Sequence, residues 1–516
     1  MESSRTKFSV LNVSSNFLIL LYRTITSFIV RTVFIKVLGE ESLGINSLFT
    51  NILSMLSLAE LGIGVAMSFS LYSSLAKGDD KKTSTLMSFY KKTYKEIGTF
   101  ILIAGLILLP FINNIVGETS VPHVKLIFCI FLANTVSLYF ISYKEILIQA
   151  DQKNFKLSLI NFLSFFFMYN LQIIFLFITK SFIIFMLIDL IINIIQRISI
   201  NIYVTRKYKN INFASTDKLD RKEKMTIKNN VGAMFLHKMG NYLVTGTDSI
   251  ILSKFVGIIS VGIYTNYLSI MNMTTALLNS IYTGLTSSFG NLASQENEKV
   301  QERVFNHINF SSFVIYGYIS IAFLFLINPF INLWIGEKYL LPMSVVILLC
   351  ANFYMNGLRL PIDTVKEATG TYTQDKYVPI VQAIINLIVS VLLTIKFGVI
   401  GVVLGTFISF ILVPLWYKPL VVYKYVFKSN LIKYIIDYVK KLITLLICTF
   451  IIYCTFKYIP LKLNIINFIL KALILSIIYF MYIIIIFRKN EYYIYFKELL
   501  FKIINNIFKR KHTKND

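Results

Sequence analysis

Ionisable side chains set inside long apolar runs are where this sequence could do chemistry. Arg23 and Arg31 stand in the first such run, Glu60 in the second, His237, Lys238 and Asp248 in the seventh, and Arg359 with Asp363 in the tenth. A charge at membrane depth is costly unless it faces a cavity or a partner, so each is a candidate by position. At ~100° per residue, Arg23 and Arg31 project about 80° apart on one helix, close enough to point into one cavity. A guanidinium suits a phosphate-type anion because its planar fork donates two parallel hydrogen bonds. Snorkelling of either arginine to a helix end is the alternative.

His237 and Lys238 precede Asp248 by eleven and ten residues. Histidine titrates near neutral pH, so this group could bind an anionic headgroup or couple to a proton. A buried pairing with a neighbouring helix is the competing reading. Glu60 precedes Gly62 and Gly64, whose missing side chains allow close helix packing or a break. It reads either as an ion-coupling acid or as the partner of an in-span arginine. Arg359 and Asp363 are four apart and can pair along one face, while Pro361 between them suggests a kink; hinge and ligand roles both stay open. The substrate-binding candidates are therefore Arg23, Arg31, His237, Lys238 and Arg359. The ion-coupling candidates are Glu60, Asp248 and Asp363.

The elements that must carry these residues are membrane helices. The chain has 516 residues, is 56% hydrophobic with a mean hydropathy of +0.68, and only 15% of it is charged. Its apolar residues fall in blocks of about 20, the length that crosses a ~30 Å hydrocarbon layer. The blocks 97–116, 157–178 and 470–487 carry almost no charge. The pattern predicts an all-α polytopic membrane protein of about fourteen transmembrane helices, among them 45–75, 123–148, 229–254, 261–290, 379–396 and 398–423.

The net charge of +25 would suit nucleic acid if it were clustered on a soluble face. Instead Lys and Arg gather in 77–95, 206–228, 418–441 and 488–516, between or beyond the apolar blocks. They outnumber the basic residues of the alternate connections by about four to one, which puts both termini in the cytoplasm. No nucleic-acid partner is implied. Cys129, Cys350, Cys448 and Cys454 form no CxxC pair and no metal-spaced cluster, so they read as apolar fillers and neither metal nor cofactor is expected. The N-terminus has no short apolar segment ending in a small-residue cleavage site, and the first span is expected to stay uncleaved.

The chain also repeats itself. Gly39, Ser42, Gly44 and Ile45 recur as Gly257, Ser260, Gly262 and Ile263, and Met55 recurs as Met273. The interval corresponds to six spans, an even number, so the copies share one orientation and form two parallel six-helix lobes. The expected organisation is a first lobe at 1–204, a basic cytoplasmic linker at 205–228, a second lobe at 229–425, two additional helices at 426–488, and a basic amphipathic tail at 489–516. The tail suits either a helix lying on anionic lipid or a solvated charged segment.

Three stretches resemble the polysaccharide-transporter branch of the MOP superfamily, the Wzx-type oligosaccharide flippases. They are Arg31–Gly39 with Gly44-Ile45, then Leu58–Gly64, then His237–Gly240 running through Thr247-Asp248-Ser249 to Phe255-Val256-Gly257 and Val261–Tyr264. The likeness extends over about the first twelve spans. It implies a two-lobed bundle with a central cavity and alternating access, located in the bacterial cytoplasmic membrane. The substrate it implies is an undecaprenyl-diphosphate-linked sugar repeat unit for capsule or exopolysaccharide. Asp248 resembles the family's recurring aspartate and His237-Lys238 its His-Lys pair. The implied partners are the lipid-linked oligosaccharide, membrane lipid, and a polysaccharide polymerase with glycosyltransferases.

Enzyme signatures are missing: the sequence holds no GxSxG, Walker A or HExxH, so catalysis and ATP-driven transport by this chain are not expected. Three rivals remain. A lipid II or other precursor flippase shares the same motifs. A cation-coupled multidrug exporter would favour acidic residues in its lobes, whereas the first span offers two arginines. A membrane polysaccharide polymerase would bring a large external loop, and every loop on the less basic side is short.

Overall fold

Apolar runs of this length fold as helices because a hydrocarbon layer offers no partner for a backbone N–H or C=O, and only a helix satisfies all of them locally. The structure is a computed structural model. It describes residues 2–57, 67, 71–72, 74–75, 77–151, 154–215, 217, 219–221, 225, 239–240, 242–244, 246–371, 373–458 and 463–498, with backbone alone at 2–21, 142, 154–155, 280–281, 283–284, 287 and 373. All regular structure among these residues is helical.

The principal helices are α1 (Glu2–Leu56), α2 (Asp80–Leu108), α3 (Ile112–Val116), α4 (Val124–Tyr139), α5 (Ser142–Ala150), α6 (Asn154–Thr179) and α7 (Phe182–Lys207). They continue with α8 (Ile258–Gln295), α9 (Glu298–Ile335), α10 (Met343–Thr369), α11 (Val378–Phe397), α12 (Val399–Leu412), α13 (Pro414–Val422), α14 (Leu431–Tyr458) and α15 (Ile465–Phe487). Side-chain caps start several of them. Asp79 accepts from the Lys82 N–H at 2.8 Å, Asn297 from Val300 at 3.1 Å and Asn464 from Asn467 at 2.7 Å, each satisfying one of the N–H groups a helix leaves open.

Among the described residues, eight helices are long and apolar enough to cross a membrane, or up to nine if the bent pair around α4 and α5 is one span. That pair occupies the predicted span 123–148 and bends by 45°. The predicted span 398–423 continues to Phe427 through α13. Other expected spans lie on α1, α8 and α14, or run partly over residues outside the described set. Only 17% of the most apolar window of α15 is buried, with Ile466, Leu473, Ile477 and Ile485 exposed. Such an outward apolar face needs a hydrocarbon solvent. The chain is a multi-pass membrane protein.

Contacts divide the chain into two compact units, one of residues 1–266 with 379–402 and one of residues 267–378 with 403–516. In the first, Phe34 lies edge-on to Phe182 and Phe185, and Phe49 to Phe128 and Phe131, which ties α1 to α4 and α7. In the second, Phe289, Phe305, Ile362, Val365, Tyr423, Phe427 and Tyr434 form one buried cluster. Helix α10 of that unit continues through Pro361.

Candidate functional site

Two glycines set up the first site. Gly39 interrupts α1 at φ 81° and ψ −176°, and Gly257 precedes α8 at φ 112°, a region that strains any residue with a Cβ. After each break the chain resumes as a helix, and the two resumed segments, 39–48 and 257–266, both belong to the first unit. Arg31, two turns before Gly39, donates from Nε to Asn266 Oδ1 at 2.9 Å and from Nη2 to Thr265 Oγ1 at 3.3 Å. Thr265 Oγ1 also lies 3.0 Å from Ser47 Oγ. Asn266 is fully buried, and its Nδ2 has no hydrogen-bond partner among the described residues.

Asp248 approaches the same stretch of α8. Its Oδ2 accepts from the Tyr264 hydroxyl at 3.1 Å, while Oδ1 is buried with no hydrogen-bond partner among the described residues. The next residue, Ser249, accepts from Asn51 Nδ2 at 2.6 Å. Two predicted residues far apart in sequence, Arg31 and Asp248, are thus gathered on three consecutive residues of α8: Tyr264 holds Asp248, and Thr265 and Asn266 hold Arg31. A carboxylate with one oxygen open can take up a proton or a small cation. A guanidinium held by neutral acceptors keeps its charge for an anion.

Arg23 is not part of this group. It is exposed, with its guanidinium 4.7 Å from the centroid of the Phe165 ring, a cation–π arrangement on α6. The structure therefore separates the two first-span arginines by their partners. Deeper in the first unit lies a polar cluster whose members stand too near span ends to be singled out from sequence. Asp189 accepts from Asn134 Nδ2 at 2.6 Å and Asn193 Nδ2 at 3.1 Å. Arg197 donates to the Asn134 carbonyl at 3.1 Å and to the Ser137 hydroxyl. The Asp-x-x-x-Asn-x-x-x-Arg spacing on α7, about one residue per turn, is the signal the sequence offers.

In the second unit, Arg359 and Asp363 do pair, Nε to Oδ2 at 3.1 Å. Asp363 also accepts from Lys418 Nζ at 2.8 Å. The sequence pattern has Lys418 opening a basic cytoplasmic connection, 418–441. Instead α13 begins at Pro414 and carries Lys418 inward to 7% side-chain exposure. A second buried pair, Lys366 with Asp375, lies one turn further along α10. Beside Arg359 is a void of about 10 Å³, enough for a single water, lined by Phe410, Pro414, Tyr434 and Tyr438 among others.

Glu60, His237 and Lys238 lie outside the described residues. Among the described residues no group of three His, Cys, Asp or Glu could hold a metal. At the chain connection beside Gly39, Glu41 Oε2 accepts from the Ser120 N–H at 2.7 Å and the Thr119 hydroxyl at 2.8 Å. The Ser120 N–H first, and then the Thr119 hydroxyl, hold this carboxyl below the usual glutamate range.

Residues 9–287 match the family described as "Polysaccharide biosynthesis protein". No curated protein sequence matches the chain. Among solved structures, the lipid II flippase MurJ in its inward closed conformation superposes with a TM-score of 0.65 at 18% identity, over 93% of this chain and 99% of that one. An inward-facing multidrug resistance MATE family transporter of the MOP superfamily gives 0.61 at 14% identity, over 80% and 98%. The Vibrio cholerae MATE transporter VcmN, in mutant form, gives 0.54 at 14% identity, over 83% and 99%. These likenesses concern the fold.

Proposed function

We propose that this chain, which belongs to the polysaccharide biosynthesis protein family, is a membrane transporter of the MOP superfamily and, within it, a flippase for a lipid-linked oligosaccharide. Its cargo on this reading is an undecaprenyl-diphosphate-linked sugar repeat unit, moved across the bacterial cytoplasmic membrane by alternating access for capsule or exopolysaccharide synthesis. The observation that carries the reading is the family match over 9–287. Both termini and the linker 205–228 are cytoplasmic, and the two six-helix lobes are parallel repeats. A polymerase and glycosyltransferases work beside it.

The diphosphate needs fixed positive charge, because two phosphates in a low-dielectric bundle are prohibitively costly without it. Arg23 is exposed on the first helix and is the first choice for this task, with Arg31 or Lys238 beside it; His237 and Arg359 are the others. Asp248, with one buried oxygen unpaired among the described residues, is the strongest ion-coupling candidate, ahead of Glu60 and Asp363. Lipid II or another lipid-linked precursor is the second reading, favoured by the likeness to a lipid II flippase over 93% of the chain.

Replacing Arg23 by Gln abolishes polymer export while the protein stays folded and inserted, and Lys restores it only in part because the fork is lost. Normal surface polysaccharide at matched protein level in the Gln variant would remove Arg23 from the site. Topology is tested by labelling from outside, which should reach a cysteine at Glu118 and miss one at Lys218.

A further inference from the structure

The contact between segments 39–48 and 257–266 is reciprocal in a way that neither sequence motif alone reveals. Ser47 and Thr265 are 218 residues apart, the same interval that separates Gly39 from Gly257, Glu40 from Ile258 and Gly44 from Gly262. Equivalent residues of the repeat therefore touch each other. A Cβ added at Gly44 would run into the Ile258 carbonyl oxygen, and one added at Gly262 would lie 2.6 Å from the Glu40 carbonyl oxygen and 3.1 Å from Gly44 N. Each glycine meets the carbonyl equivalent to the one its counterpart meets. That is an isologous contact related by a local two-fold operation, with the Ser47 and Thr265 hydroxyls hydrogen-bonded across it.

We propose that this seam is a latch that closes and parts once per transport cycle, with Gly44 and Gly262 as its contact residues and Arg31 as the positioning residue that braces Thr265 and Asn266. The inference rests on the alternating-access reading given above. Three features suit a contact that must come apart. Backbone meets backbone through Cα–H and C=O groups, whose attraction is weak. The hydrogen bond between Ser47 and Thr265 joins two neutral hydroxyls, and the Arg31 guanidinium that leaves Thr265 and Asn266 on parting is free to meet an anion. Each half resumes its helix after a glycine at positive φ, so each is set by its own backbone rather than by the other. Arg31 enters from two turns before Gly39 and reaches both residues at the seam's far edge. An anion that draws the guanidinium away would loosen the latch.

The test uses the full chain in membranes, without its cysteines. The pair Ser47→Cys with Thr265→Cys should be cross-linked by copper phenanthroline, seen as two halves that stay joined on a non-reducing gel after cleavage at a protease site inserted near residue 217. Gly44→Val should lower that yield at least tenfold, and Gly290→Ala, whose added Cβ meets only an ordinary 3.5 Å contact, should leave it unchanged. Failure of the parent pair to cross-link, or full cross-linking in Gly44→Val, overturns the latch.

Parting is read separately, through a buried thiol at Thr265→Cys exposed to a polar maleimide in opened membrane fragments. Slow labelling is expected, accelerated at least tenfold by Gly44→Val and by Arg31→Gln but not by Arg31→Lys. No labelling in any variant makes the seam a static joint and sinks the proposal. Neither readout uses a substrate, so a wrong choice of cargo would change neither cross-linking nor labelling. Loss of polymer export on cross-linking, reversed by reductant, ties the latch to flipping, whereas export through a fully cross-linked protein overturns it.

Discussion

The seam around Gly44 and Gly262 and the charge cluster around Asp363 join helices by opposite means. At the seam two backbones approach closely, with a hydroxyl pair between them and Arg31 as a brace. In the cluster, Asp363 is clamped by Arg359 and Lys418, both largely buried. Separating the first breaks neutral contacts and frees the Arg31 guanidinium from two neutral acceptors, leaving it to an anion. Separating the second would leave full charges in low dielectric, where the desolvation cost is not recovered. On the latch proposal the glycine seam is the contact that parts, and the buried ion pairs around Asp363 stay joined.

The contrast is most sharply broken at Asp363. Asp363→Asn strands two buried cations and should lower stability by about 3–5 kcal/mol, read as a large fall in the thermal midpoint of the purified protein in lipid nanodiscs. Adding Lys418→Met should recover more than half of the loss. A midpoint as high as the parent's in Asp363→Asn would mean the cluster is hydrated and not rigid. Next in size is Gly357→Ala in the same unit, where the added Cβ would collide with the Tyr316 ring. Overpacking of this kind costs about 1–3 kcal/mol. Gly44→Ala, by contrast, should shift the midpoint less than Gly357→Ala while disabling export, because a joint that already parts can tolerate a wedge. Equal shifts with equal loss of export would erase the distinction.

A smaller effect is expected at Asn51, whose 2.6 Å hydrogen bond to Ser249 is neutral and worth about 1 kcal/mol; Asn51→Ala should show it in the same melting assay. The smallest belongs to Glu41. Its carboxyl is held below the ordinary range by the Ser120 N–H and Thr119 hydroxyl, so its contribution is fully present above the unfolded value. It disappears as pH falls through the lower, folded one. Melting curves from neutral to acid pH should therefore fall more steeply in the parent than in Glu41→Gln. Parallel curves would show that this connection is not held by the carboxylate.

Much of the molecule is legible in its sequence. Apolar block length dictates membrane helices because the bilayer thickness is fixed, and charge asymmetry between connections carries the expected orientation. The Arg359–Asp363 pair is readable because four residues on a helix are neighbours by geometry. The repeat is readable as well, since Gly39 and Gly257 must each supply a backbone conformation other residues resist. Only the tertiary structure decided the partners. Nothing in local sequence says that Ser47 meets Thr265, that Arg31 reaches Asn266, or that Lys418 turns inward to Asp363 instead of opening a basic loop. Periodicity reports which face of a helix is apolar, whereas a hydrogen bond between residues 218 or 235 positions apart depends on how closely two backbones approach. Here two glycines that leave room for a carbonyl set that distance.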